Sequence, residues 1–387
     1  MKQQSAHIVG VYEHPGRNLP DVSLAQLHAQ VAAGALADAG LSFDDVDGYY
    51  CAGDAPGFGG LSMAEYMGLR CRHIDSTETG GSSYLVHVRN AAAAIAAGHI
   101  EVALITLAGK PRSMGFGSGA AGGSAGVPEL PFESFNGWGI PAMYALAAKR
   151  HMHEFGTTSE QLAEIKVAAS LHAQHNPNAL LNTVVTIDDV MSSPVVADPL
   201  HRLDCCVITD GGGALVVTSE SRARDLDRAS AKVLGTGVSI KHADAGRIDL
   251  TYTGARSSGP DAFAEAGVVP ADIQYASIYD SFTITVLISL EDLGFCGKGE
   301  GGDFVAGGGL VSPHGRLPFN TDGGGLCNNH PANRGGMTKV IEAVRQLRGE
   351  AHPAVQVPNC EIALAHGTGG TLAGRMGSAT LILGSAS

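Results

Sequence analysis

One phrase occurs twice in this chain. Residues 37–46 read A-D-A-G-L-S-F-D-D-V and residues 264–273 read A-E-A-G-V-V-P-A-D-I. In each, an Ala-rich helical run stops at a glycine, Gly40 or Gly267, and a short turn leads into an apolar strand. The first copy predicts a helix over Val22–Gly40 and a strand near Val46–Cys51. A second pair follows. The helix ending A-I-A-A-G98 leads to the strand E-V-A-L-I-T-L, and the helix M-T-K-V-I-E-A-V-R-Q-L-R-G349 leads to E-I-A-L-A-H at Glu361–His366. A third pairs A-L-V-V-T-S after Gly213 with A-T-L-I-L-G after Gly377. Helix, turn and strand recurring in this order predict a duplicated α/β protein. The offset between copies falls from roughly 250 to roughly 165 residues, so the first half carries an insertion of about 85 residues. It lies between about Lys110 and Asp204, and an insertion of this length in a compact core is usually a functional loop. The division expected is 1–235 and 236–387, with the insertion at about 110–204.

The stretch Thr77–Gly98 holds the most suggestive chemistry. Two glycines and two serines form a tight turn that launches a small, apolar helix over roughly Ser83–Ala97, composed for burial on nearly every face. Its free N–H groups and dipole favour a thiolate, carboxylate or enolate at the turn, although a capped core helix would have the same composition.

Composition removes several function classes. A net charge of −13 argues against nucleic acid or anionic membrane as a partner. No apolar run reaches the roughly 18 residues of a membrane span, and Met1–Gly10 lacks the pattern of a leader, so a cytoplasmic protein is expected. The seven cysteines form no C-x-x-C and read as free thiols. His151/His153 and His172/His175 lack acidic or Cys companions at metal spacing, so no metal is expected. Gly117–Gly122 spells G-x-G-x-x-G, but V-P-E-L-P follows instead of a helix, which argues against a dinucleotide site.

Further motifs span nearly the whole chain: S-S-P-V-V-A-D-P-L-H-R-L-D-C-C-V-I-T-D-G-G-G-A (Ser192–Ala214), Y-D-S-F (Tyr279–Phe282), L-E-D-L-G-F-C (Leu290–Cys296), N-T-D-G-G-G (Asn320–Gly325), N-H-P (Asn329–Pro331) and H-G-T-G-G (His366–Gly370). In this order they resemble the thiolase superfamily, in its sterol-carrier or lipid-transfer branch. The resemblance implies a thiolase fold: two βαβαβαββ halves in a five-layered α-β-α-β-α arrangement, a loop domain inserted in the first half, and a tight homodimer. It also implies departures at the catalytic positions. The nucleophilic Cys of thiolases falls at Gly81, or after a one-residue slip at Ser82. The second Cys falls at Gly367, beside His366 and before Gly369. The Asn or His that opens the N/H-x-x-F motif is Tyr279, followed by Asp280, and the histidine of G-H-P is His330. Asn320 and Asn329, in neighbouring motifs, are candidates for substrate binding.

A site without either thiol but with main-chain donors near Gly81 and Gly369 suits an enolate held without acylation. The expected chemistry is therefore aldol or retro-aldol cleavage of an acyl-CoA, with Tyr279 as base or relay, His330 or His366 as acid, and Asp280 orienting one of them. This resembles the bacterial steroid side-chain aldolases, whose second active-site Tyr falls near Asn329. Coenzyme A enters only as part of the substrate, with no cofactor bound permanently, and Arg112, Arg334 and Arg375 are candidates for its phosphate. Such aldolases often work with a small OB-fold, zinc-ribbon partner chain. Two alternatives stand beside this expectation: a non-catalytic acyl-CoA or lipid-binding subunit, and a Ser82 acyltransferase. Plainer roles also stand: a core position for Tyr279, helix capping for Asp280 or His330, and a Gly-turn position for His366.

Overall fold

The computed structural model describes residues 5–116, 139–244, 247–331, 335–372 and 374–386; at 374 and 375 the description is of the backbone alone. The first half runs β1 (Ala6–Glu13), α1 (Leu24–Ala39), β2 (Gly48–Tyr50), α2 (Gly60–Met67), β3 (His73–Asp75), α3 (Ser83–Ala96) and β4 (Val102–Gly109). An insertion follows with α4 (Ile140–Phe155), α5 (Ser159–Ala173), α6 (Ile187–Ser192) and the two-stranded β5 (Val195–Ala197) and β6 (Leu200–His201). β7 (Gly211–Ser219) and α7 (Glu220–Arg224) complete the half. The second half runs β8 (Ser230–Lys241), α8 (Ala255–Ala266), β9 (Tyr275–Ile278), α9 (Thr283–Asp292), α10 (Gly301–Val305), α11 (Gly324–Cys327), α12 (Gly336–Arg348), β10 (Ile362–Thr371) and β11 (Gly374–Ala386).

The repeated phrase folds the same way twice. The N–H groups of Gly40 and Gly267, at φ 68° and 70°, cap α1 and α8, the left-handed geometry that glycine adopts without strain. Strand order repeats too. The first half reads β3-β2-β4-β7-β1 and the second β8-β11-β10-β9. The place of a third strand beyond β9 is taken by a single parallel bridge between Ala276 and Phe319. Two residue pairs, His7 with Lys232 and Ile8 with Ala231, join β1 to β8 and run both halves into one nine-stranded ladder. β8 starts at Ser230, so the division expected after residue 235 falls inside a strand.

Three apolar cores separate five layers. One lies between α1 and the outer face of the first half. A second surrounds α3 and α12, which are covered by the inner faces of both halves. The third joins the outer face of the second half to α8, α9 and the insertion. The alternation of β10 decides which side chains reach the middle: Ala363 and Ala365 face α3 and α12, whereas Leu364 faces outward. The insertion packs over the second half. Tyr144 of α4 stacks on Phe282 at 4.4 Å, and His151 bonds Glu291 at 3.0 Å. The Gly-x-Gly-x-x-Gly stretch and the aromatic run at 132–138 lie outside the described residues. No described helix is long and apolar enough to cross a membrane.

Candidate active site

Two glycine turns, one from each half, meet at the N-terminus of α3. A Cβ on Gly80 would lie 2.7 Å from Gly369 Cα, and one on Gly369 would run into the Thr79 carbonyl. At Gly81 an added Cβ would strike the Thr368 carbonyl and the Tyr279 ring, whose Cζ would be 2.8 Å away. At Gly367 it would meet Leu85 at 2.8 Å and the Gly81 carbonyl at 3.1 Å. The space a thiol would need at Gly81 is thus filled by the phenol of Tyr279.

Tyr279 follows β9 and is held there by its N–H, which donates to the His366 carbonyl at 2.9 Å. Tyr275, two turns of alternation earlier, faces the middle core, and Tyr279 continues that side. Its hydroxyl lies 2.9 Å from His330 Nε2, with the rings edge to face at 5.5 Å. Both side chains are almost wholly buried, at 3% and 5% exposure. Burial raises the Tyr279 phenol well above its ordinary range, and Cys206 and Tyr144 add to that; the Gly335 N–H at its oxygen works the other way. Burial also pushes the His330 imidazole down to about 4, against the pull of Asp280. The resting pair is therefore a neutral phenol on a neutral imidazole. In the tautomer that carries its proton on Nδ1, Nε2 is the acceptor and the phenol the donor.

The supports of His330 are specific. Its N–H donates to Thr209 Oγ1 at 2.9 Å, and that hydroxyl donates to Asn329 Oδ1 at 2.6 Å. Asn329 Nδ2 donates to Glu13 at 3.0 Å, so both ends of this amide are engaged. Asn320 is likewise occupied: its Oδ1 accepts the Ile278 N–H and its Nδ2 donates to the Ile278 carbonyl, at 2.9 and 2.8 Å. It fixes the strand end from which Tyr279 projects. Asp280 does not cap α9. Its carboxylate accepts the N–H groups of Gly325 and Leu326 at 2.8 and 3.1 Å and pairs with Lys339 Nζ at 2.8 Å.

Two expected residues stand apart from this cluster. Strand alternation turns His366 to the outer face of β10, opposite Gly367, where its Nδ1 bonds Thr380 at 2.9 Å. It is fully buried there, with its pKa pushed down to about 3 by desolvation. The role of acid at Cα therefore does not fit the position of His366. Ser82 is also buried, and its hydroxyl donates to the Thr79 carbonyl at 2.7 Å and lies 3.1 Å from Thr79 Oγ1, neither of which is a base. A nucleophile needs such a base. Arg112 is exposed; Arg334 and the side chain of Arg375 lie outside the described residues. All seven cysteines are unpaired by disulfides. Cys327 sits in α11 against Lys166 Nζ at 3.0 Å and Cys360 packs in the middle core, neither at the glycine turns. No cluster of three or more His, Cys, Asp or Glu suited to a metal occurs among the described residues.

Sequence reasoning missed Thr209, Tyr144, Cys206, Gly335 and Lys339. Thr209 and Cys206 belong to a quoted motif, but nothing in the string aims them at residue 330 or 279. Lys339 carries no local signal at all.

Residues 237–385 match the family model described as thiolase C-terminal domain-like. An acetyl-CoA acetyltransferase of Methanothermobacter thermautotrophicus is 33% identical over 94% of this chain and 96% of its own. The 17-hydroxy-3-oxo-4-pregnene-20-carboxyl-CoA lyase of Mycobacterium tuberculosis is 36% identical over 90% and 93%. The chain belongs to the thiolase superfamily. A solved Ltp2–ChsH2(DUF35) aldolase superposes with a TM-score of 0.88 at 33% identity, covering 98% of each chain.

Proposed function

We propose that the protein is a carbon–carbon lyase that cleaves β-hydroxyacyl-CoA thioesters by a retro-aldol step without acylating itself. The observation that carries this is the buried Tyr279–His330 pair, 2.9 Å apart, standing where a nucleophilic side chain would otherwise project. The substrate hydroxyl gives its proton to the Tyr279 oxygen as the phenol proton passes to His330 Nε2. The C–O bond becomes a carbonyl, the Cα–Cβ bond breaks, and its electron pair enters the thioester as an enolate. Main-chain N–H groups at the two glycine turns hold the enolate oxygen. The Tyr279 hydroxyl then gives its proton to Cα as His330 returns its proton to the phenol oxygen, which restores the neutral pair and releases a shorter acyl-CoA. The relay avoids a free phenolate, which burial makes costly at Tyr279. A polar pair in place of an apolar plug favours this over a non-catalytic binding subunit.

The similarity to the steroid lyase and to the Ltp2–ChsH2(DUF35) aldolase supports a bulky, steroid-like acyl chain and a small OB-fold partner subunit. A homodimer is part of the same proposal. β3 is an edge strand, and beside it Phe58 and Leu61 are 87% and 65% exposed, an apolar face suited to a second copy. Coenzyme A enters as part of the substrate, in the cytoplasm.

The test is a panel of β-hydroxyacyl-CoA thioesters given to wild type and Tyr279→Phe, with and without the partner subunit. Cleavage by wild type and a fall of about 10³-fold in the variant are expected. Equal rates would remove Tyr279 from the mechanism, and an acyl adduct on Ser82 would replace the lyase with an acyltransferase.

A further inference from the structure

The middle helix of the second half buries a full positive charge beside the site. Lys339 lies one turn into α12 and is 1% exposed, with its Nζ 2.8 Å from Asp280 Oδ1. A buried ammonium is expensive unless anions face it. Here Asp280, Asp322 and Glu13 do so, and they keep it charged despite its burial. Glu13 is already matched by Arg17 at 2.7 Å. Asp280 is the carboxylate that acts on the imidazole: a Cβ on Gly325 would lie 3.0 Å from Asp280 Oδ1 and 3.1 Å from His330 Cδ2, so the two groups bound one small space. The titratable and charged groups that face His330 are Tyr279, Asp280 and Lys339.

We propose that Lys339 is a positioning residue of the site: its ammonium neutralises Asp280 and so, added to burial, holds the His330 imidazole uncharged further into the acid range, where it can take the proton of the Tyr279 hydroxyl. A carboxylate without its cation would let the ring take up a proton at higher pH, within the acid limb of the reaction. The ring would then donate to the phenol oxygen instead of accepting from it, and the relay would run the wrong way. Asp280 is still needed, because it fixes the N-terminus of α11 through Gly325 and Leu326 and favours the transient imidazolium once the proton has moved. Lys339 thus lets one carboxylate serve the fold without charging the base in advance.

This role rests on the lyase proposal for its kinetic consequence, but the imidazole can be titrated without any substrate. The experiment measures the His330 pKa by C2-proton exchange and mass spectrometry in the full chain, for wild type, Lys339→Met, Lys339→Gln and Lys339→Arg. An unbalanced carboxylate about 6 Å from an imidazole moves its titration by about two pH units at an effective dielectric of about 20. The Met and Gln variants should therefore raise the His330 pKa by at least about one unit, and Arg should restore it. Gln keeps a donor for Asp280, so it reads the charge even if the Met variant does not fold. With substrate, the acid limb of kcat/KM should move to higher pH by the same amount while Lys339→Arg keeps the wild-type profile. An unshifted His330 in a folded Met or Gln variant overturns the role, and so does failure of Arg to restore it. Absence of cleavage by wild type would count against the lyase proposal alone.

Discussion

α3 and α12 lie against each other at the centre of the molecule, each launched by glycines and each followed by a glycine at φ near 70°, Gly98 and Gly349. Their cargoes differ. α3 buries Tyr84, Leu85, Val86, Val88, Ala91, Ala94 and Ile95, with His87 as its one buried basic side chain. α12 buries Lys339 and Glu342 and carries Arg345 at its flank. The asymmetry follows the chemistry. The first half gives the site backbone, a glycine turn too tight for side chains. The second half gives Tyr279, Asp280 and His330, and the charges that manage them. A duplicated frame has divided its labour between shape and charge.

The largest expected effect is on the charged side. His330→Gln should lower kcat/KM for thioester cleavage by about 10³-fold while leaving the urea unfolding midpoint close to wild type. A variant within a few-fold of wild type would place the proton transfer elsewhere. On the shape side, Gly81→Cys should not produce an acyl-enzyme. Its side chain would drive into the Tyr279 ring and the Thr368 carbonyl, so the expected outcome is a loss of about 1–3 kcal/mol in stability. Intact-mass detection of a stable acyl adduct at residue 81 would show that the turn has room after all.

The two helices should also titrate in opposite senses. Glu342 is raised to about 7, by burial first and then by Asp322. The folded state therefore holds its proton where the unfolded chain has lost it. That stabilisation is complete below about 4.5 and disappears as pH rises through about 7. His87 is lowered by burial, so its contribution is present above about 6.5 and lost as pH falls. In urea unfolding between pH 5 and 8, Glu342→Gln should remove roughly 1–2 kcal/mol of the decline on the alkaline side. His87→Leu should flatten the acid side instead. Matching pH dependence in the two variants would end the contrast. The smallest effect belongs to Ser82→Ala, which deletes one buried bond to the Thr79 carbonyl. It should cost about 1 kcal/mol by thermal melting and leave kcat/KM within about twofold.

How far the sequence could be read follows the same line. Local signals wrote the frame: the twin phrase, the stop glycines and the alternation of β10 suffice for helix and strand order. The pair Tyr279 and His330 was legible because each sits in a motif of its own. Its partners were not. Lys339 is the one lysine of α12, and only the packing of both inner faces around that helix buries it. Thr209 and Asn329 are 120 residues apart and meet through their side chains alone. His366 misled because it is adjacent in sequence to Gly367, while a strand sends neighbours to opposite faces. Asn320 and Asn329 offered polar side chains suited to a ligand, but the backbone at Ile278 and the chain through Thr209 and Glu13 already use them.

The meeting of Gly80 with Gly369 has a consequence for how the protein is made. The first glycine leaves the ribosome early and must wait for nearly three hundred further residues before its counterpart exists, so no partial chain owns a working pocket. Competence arrives all at once, late in synthesis, when the last two strands close over the seam. A nascent chain halted before residue 369 would carry α3 with its mouth open to whatever apolar surface happened to be near.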